Sequence, residues 1–85
     1  MLKITRASNG EVVFKLSGRM DAENVGELET MVSEEANRGR IVFDLKDLTL
    51  VDQDAVNFLN RCEAAGIQLK NCPAYIREWI TGEGR

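Results

Sequence analysis

Apolar and polar positions alternate through Leu2-Lys3-Ile4 and again through Val12–Leu16, with Ser8-Asn9-Gly10-Glu11 between them. A period of two puts successive side chains on opposite faces of a strand. Asn-Gly joins the runs with two residues that tolerate positive φ, so the opening segment reads as a β-hairpin. Ser17 to Asp21 then reads as a short loop ending in a helix N-cap, because the Asp21 carboxylate can accept a free backbone N–H of the first turn. Beyond it the period lengthens. Val25, Leu28, Val32 and Ala36 recur at helical spacing, while Glu23, Glu27, Glu29, Glu34 and Glu35 occupy the other faces as a solvated acidic surface. Gly39 suits the end of that helix.

Ile41-Val42-Phe43-Asp44-Leu45 is a short apolar run rich in β-branched residues, the pattern of a strand covered on both faces. Lys46 to Leu50 loses the alternation and reads as a connection. A second helix follows Val51-Asp52, with Ala55, Phe58, Leu59, Cys62 and Ala65 as its apolar stripe and Gly66 as its stop. Ile67–Asn71 reads as a further strand. Pro73 suits the first turn of a short third helix carrying Tyr75, Ile76, Trp79 and Ile80. Residues 1–80 therefore form one domain and 81–85, with two glycines, a flexible tail. The order β-β-α-β-α-β-α predicts an α/β fold: a mainly parallel four-stranded sheet, an antiparallel N-terminal hairpin strand, and helices packed on the sheet through right-handed crossovers.

Composition then removes classes of function. At 85 residues the chain has room for one core. With 11 basic against 14 acidic residues and no basic cluster, nucleic acid is not an expected partner. No apolar run reaches the roughly 20 residues of a membrane span, and the first residues lack a signal-peptide stretch, so the expectation is a cytoplasmic protein without membrane insertion. The absence of histidine takes away the commonest general base and metal ligand. Cys62 and Cys72 have no paired spacing, so neither a metal site nor a disulfide is expected. Cys62 lies on an apolar stripe and reads as core. Cys72, beside a helix start, has no histidine or second thiol to make it a nucleophile. Carboxylate pairs can be drawn from Asp52 with Asp54 or from Asp44 with Asp47, yet no nucleophile, oxyanion hole or glycine-rich phosphate loop accompanies them. The expectation is a protein that is not an enzyme and carries no cofactor.

Val13-Phe14-Lys15-Leu16-Ser17-Gly18-Arg19-Met20-Asp21 resembles the "hydrophobic strand, Gly-x-hydrophobic-Asp" hallmark of the STAS family, the anti-sigma factor antagonists and the C-terminal domains of sulfate transporters. Ile41–Leu45, Leu48 and Leu50-Val51-Asp52-Gln53-Asp54-Ala55 are similar to that family's central strand and signature loop. The likeness runs from about Leu2 to Ile80. It implies a protein-interaction module whose loop and second helix dock on a partner. In the antagonists that partner is a serine kinase that doubles as anti-sigma factor, and it phosphorylates a serine of an Asp-Ser-Ser/Thr-Gly loop. Here Asp52 matches the leading aspartate, Asp54 the phosphorylated serine and Ala55 the glycine, and no serine or threonine lies between Val51 and Thr81. The acceptor hydroxyl is gone, so the resemblance implies an adaptor that is not switched by phosphorylation at this loop.

The docking residues implied are Asp52, Gln53 and Asp54, Asn57 and Arg61 on the following helix, and Met20 and Asp21 on the adjoining loop. Asp54, Asn57 and Arg61 are spaced to line one helix face. Capping alone also accounts for an Asp at 52 or 54, since anions at a helix N-terminus gain about 0.3–1 kcal/mol. The alternative partner is the ATPase of an ABC-type lipid transporter, of which some stand-alone STAS domains are constitutive subunits. Nucleotide binding, suggested for parts of the family, ranks below both. A homodimer is a further reading, and a last strand at the sheet edge would give Tyr75, Trp79 and Ile80 an interface role.

Overall fold

The computed structural model describes residues 2–8, 10–35 and 39–82, the last two by backbone alone. Among them the chain forms β1 (Leu2–Ser8), β2 (Val12–Met20), α1 (Ala22–Glu35), β3 (Ile41–Val51), α2 (Gln53–Ala64), β4 (Gln68–Lys70) and α3 (Ala74–Gly82). The sheet order is β1-β2-β3-β4, with β1 antiparallel to β2 and the other pairs parallel. The expected element order and sheet are therefore present. α3 runs two residues beyond Ile80, into the segment read as tail, and 83–85 lie outside the described residues.

Both crossovers step the same way along the sheet, and right-handed crossovers in one direction lie on one face. α1 and α2 accordingly share a face, and α3 packs beside α2 with an Arg77–Glu63 ion pair at 2.9 Å. The core is the layer between that face and the helices. Phe14, Leu16, Phe43 and Leu45 from the sheet meet Leu28, Ala55, Phe58, Leu59, Cys62, Ile76 and Ile80 from the helices. Phe43 is its centre, edge-on to Phe14 with ring centroids 6.0 Å apart and stacked on Phe58 at 6.1 Å. Each such side chain fully withdrawn from water contributes roughly 1.5–3 kcal/mol. The opposite face carries the cross-strand row Thr5, Lys15, Asp44 and Lys70.

Two corrections to the expected boundaries share one cause. β2 does not stop at Leu16 but includes Ser17–Met20, and β3 does not stop at Leu45 but continues to Val51. Lys15 pairs with Asp44 but Ser17 with Asp47, and Gly18 pairs with Leu48 but Arg19 with Leu50. Each step inserts one extra residue in β3, a β-bulge. The buried positions there become Leu45, Leu48 and Val51, a spacing of three that erases the alternation by which strands are read. The first bulge is held by the Asp44 carboxylate, which accepts the Lys46 N–H at 3.0 Å and the Asn71 side-chain amide at 3.2 Å. Desolvation pushes the Asp44 pKa upward. The hydrogen bonds from Lys46 and Asn71, with the charges of Lys15 and Lys46, outweigh it, so the carboxyl sits below its ordinary range. At the second bulge Gly18 takes φ +97°, and its carbonyl accepts the Thr49 hydroxyl at 2.8 Å.

A Cβ at Gly18 meets the left-handed penalty, so Gly18→Ala is expected to cost about 1–2 kcal/mol of stability. Gly26 lies within α1, where an added Cβ meets nothing within 4 Å, so Gly26→Ala is expected to gain about 0.5–1 kcal/mol. Urea unfolding of both variants measures this pair of opposite signs, and two shifts of the same sign would contradict the assignment.

Candidate functional site

The carboxyl ends of β2 and β3 lie side by side, and each feeds directly into a helix. This is the edge at which open α/β sheets present binding residues, because helix N-termini leave backbone N–H groups unpaired there. Asp52 resolves that problem for two helices together. Its Oδ1 accepts the Ala55 N–H of α2 at 2.9 Å, and its Oδ2 accepts the Ala22 N–H of α1 at 3.1 Å. Its own N–H donates to the Met20 carbonyl at 3.3 Å. Asp21 adds a reciprocal cap: its Oδ1 accepts the Glu23 N–H at 3.1 Å, while its N–H donates to Asn24 Oδ1 at 3.0 Å. The Asp21–Asn24 pair works as a capping box with Asn in the place usual for Glu or Gln.

The expected docking residues separate under this geometry. Asp21, Asp52, Gln53 and Asp54 gather at the edge. Met20 is a correction: its side chain is fully buried in the core, and what it lends to the site is its carbonyl. Asn57 is half-buried and accepts from Gln53 Nε2 at 3.2 Å. Arg61 is turned toward α1, where it pairs with Glu29 at 3.3 Å and sits 5.9 Å from the centre of the Phe58 ring. Asp54 is exposed at the second position of α2 and has no hydrogen-bond or ion-pair partner among the described residues. Thus the row Asp54, Asn57 and Arg61 offers one uncommitted charge.

Sequence reasoning missed three participants. Asn24 is signalled by its place three residues after Asp21. Thr49 and Leu50 were hidden by the bulges. Leu50, Arg19, Met20, Asp21, Val51 and Asp52 line a depression of about 180 Å³ between the ends of β2 and β3. The Tyr75 hydroxyl of α3 donates to the Thr49 carbonyl, one residue from Leu50. As for the thiols, burial pushes Cys62 up to about 11, and it raises Cys72 as well against the pull of Arg77. The helix start beside Cys72 therefore does not pull its pKa below the ordinary thiol value.

Removing the Asp52 side chain strips partners from two N–H groups. Asp52→Ala is expected to cost about 1–3 kcal/mol, and Asp54→Ala no more than about 1 kcal/mol, in denaturant unfolding. Equal losses would contradict the bridging role. Alkylation of the native protein at pH 8 is expected to modify Cys72 slowly and to leave Cys62 intact until unfolding. Modification of Cys62 at the rate of a free thiol would contradict its burial.

A family model described as the STAS domain matches residues 3–70. No curated protein matches the chain at a significant level. Among solved structures, the anti-sigma factor antagonist SpoIIAA in its unphosphorylated form superposes with a TM-score of 0.69 at 21% identity, covering 95% of this chain and 82% of that one. An antisigma-factor antagonist STAS domain from Rhodobacter sphaeroides gives 0.64 at 14% identity, over 82% of this chain and 86% of that one. A protein with a SpoIIAA-like fold from Shewanella loihica gives 0.60 at 10% identity, over 80% and 64%. Identities this low speak for the fold. The family itself rests on the matched model, which spans both bulged strands, the Asp52 bridge and all of α2, and the chain belongs to the STAS domain family.

Proposed function

We propose that this chain is a non-enzymatic protein-interaction module of the bacterial cytoplasm, an anti-sigma factor antagonist-like regulatory adaptor with a permanently set docking surface. The observation that carries the reading is Asp54. By its likeness to the signature loop it takes the place of the antagonists' phosphorylated serine, and it is exposed in the first turn of α2 with no partner among the described residues. A phosphate there adds about −1.5 to −2 charge and repels the docking partner. A carboxylate is neither added nor removed by a kinase and phosphatase, so the partner must accept the residue as it stands and cannot be released by modifying it. Asp52 and Asp21 form the rigid base of this surface, because both are occupied by backbone N–H groups. Gln53 and Asn57 continue it along α2.

The test uses tagged wild type, Asp54→Arg and Asp54→Ser to capture partners from the native cell, followed by incubation of the captured protein with ATP. The reading predicts a kinase-type anti-sigma factor bound by wild type and at least about tenfold weaker with Asp54→Arg, since a reversed charge at an interface costs several kcal/mol. It also predicts phosphate on Asp54→Ser and none on wild type. A transporter ATPase in place of the kinase would move the chain to the structural-subunit reading. Equal binding by wild type and Asp54→Arg would overturn the assignment of the surface.

A further inference from the structure

Among the described residues, the large hydrophobic side chains left exposed are Leu50, at 52%, and Tyr75, at 46%. Scattered exposed leucines are ordinary. These two are not scattered, because Tyr75 is fastened by its hydroxyl to the Thr49 carbonyl, next in the chain to Leu50. The second bulge explains the exposure. It turns Leu48 and Val51 to the core and leaves Thr49 and Leu50 outside it. Leu50 thereby lines the 180 Å³ depression beside the Asp52 bridge. A cavity of about 150 Å³ accommodates benzene, so this one has room for a single aliphatic or aromatic side chain.

The charges around it are unequal. Its lining holds the carboxylates of Asp21 and Asp52 and one guanidinium, that of Arg19, which lies 4.0 Å from Asp21 Oδ2, and Asp54 follows Asp52 by two residues in the first turn of α2. The oxygens of Asp52 are taken up by Ala22 and Ala55, whereas Asp54 is uncommitted. The exposed side of α2 has little to offer in comparison, since Gln53 is paired with Asn57 and Arg61 with Glu29. Binding energy at protein interfaces concentrates in desolvated apolar anchors, and polar groups already paired within one partner stay near neutral.

We propose that Leu50 is the apolar anchor of the docking surface, and that the partner segment it receives carries an apolar side chain beside a lysine or arginine. This rests on the reading of the chain as an interaction module and names the chemistry of what it binds. The apolar side chain enters the depression against Leu50, with Tyr75 at its flank, and the basic group faces Asp54. An acidic segment is repelled by the same carboxylates.

The test pans a random twelve-residue peptide library, displayed on phage, against the immobilised full chain, and then measures selected peptides by fluorescence polarisation. Enrichment of Leu, Ile or Phe within two positions of Lys or Arg is expected. Leu50→Ser and Leu50→Arg should each weaken those peptides about tenfold or more, with circular dichroism unchanged, while Lys3→Ala leaves them as they were. Acidic peptides, an unenriched library, or binding indifferent to both Leu50 variants would overturn the proposal. Leu50-independent peptides together with capture of a kinase-type anti-sigma factor would remove the anchor and keep the regulatory reading. Leu50-dependent peptides with no such capture would do the reverse.

Discussion

One carboxylate holds the functional edge together. A helix N-terminus presents backbone N–H groups with no partner in the helix, and burying or crowding them unpaired costs about 1–3 kcal/mol each. Here two helices begin beside each other, and Asp52 supplies one oxygen to each. The same residue takes the Met20 carbonyl on its own N–H, so the ends of β2 and β3 are clamped through it as well. Three elements thus converge on one residue, two at its side chain and one at its backbone, and that residue is only half-buried. Any partner that docks at this edge meets a surface already ordered, and little conformational entropy remains to be lost on binding.

That arrangement divides the acidic residues of the site into two kinds. Asp21 and Asp52 are bound to backbone and serve the fold. Asp54, two residues into α2, has the same favourable place at a helix start but no partner among the described residues, and it is the one of the three whose charge is available outside. Position in the chain does not separate these roles, because all three lie in the signature segments. Hydrogen-bond commitment does. The surface ion pairs nearby, Arg61–Glu29 and Arg19–Asp21, weigh little in stability, since exposed pairs contribute about 0–1 kcal/mol. Their effect is to withdraw charges from the proposed docking surface and leave Asp54 and the apolar Leu50 as its distinctive features.

The element order, the parallel sheet and its antiparallel first strand were legible from period, and residue type marked the caps at Asp21 and Asp52 and the stop of α2 at Gly66, which takes a positive φ; the stop expected for α1 before Gly39 falls at 36–38, outside the described residues. What was not legible came from the bulges. Inserting a residue shifts the inward set by one, so Leu45, Leu48 and Val51 look like an irregular connection although they form a continuous strand. Met20 is hidden for the same reason: local pattern places it in an outward-facing loop, whereas as the last residue of β2 it points to the core. Arg61 was spaced to share a face with Asp54, but helical spacing carries no information about Glu29 on the neighbouring helix. Local patterns reveal elements and caps; pairings between elements that are distant in sequence are invisible to them.

The claim that one side chain caps two helices is tested most directly by the amide protons of Ala22 and Ala55. Hydrogen bonds to a carboxylate draw an amide proton downfield, so replacing Asp52 by alanine should move both resonances upfield together while the Glu23 amide, capped by Asp21, stays in place. An upfield shift at Ala55 with Ala22 unmoved would show that Asp52 caps α2 alone, and would contradict the account.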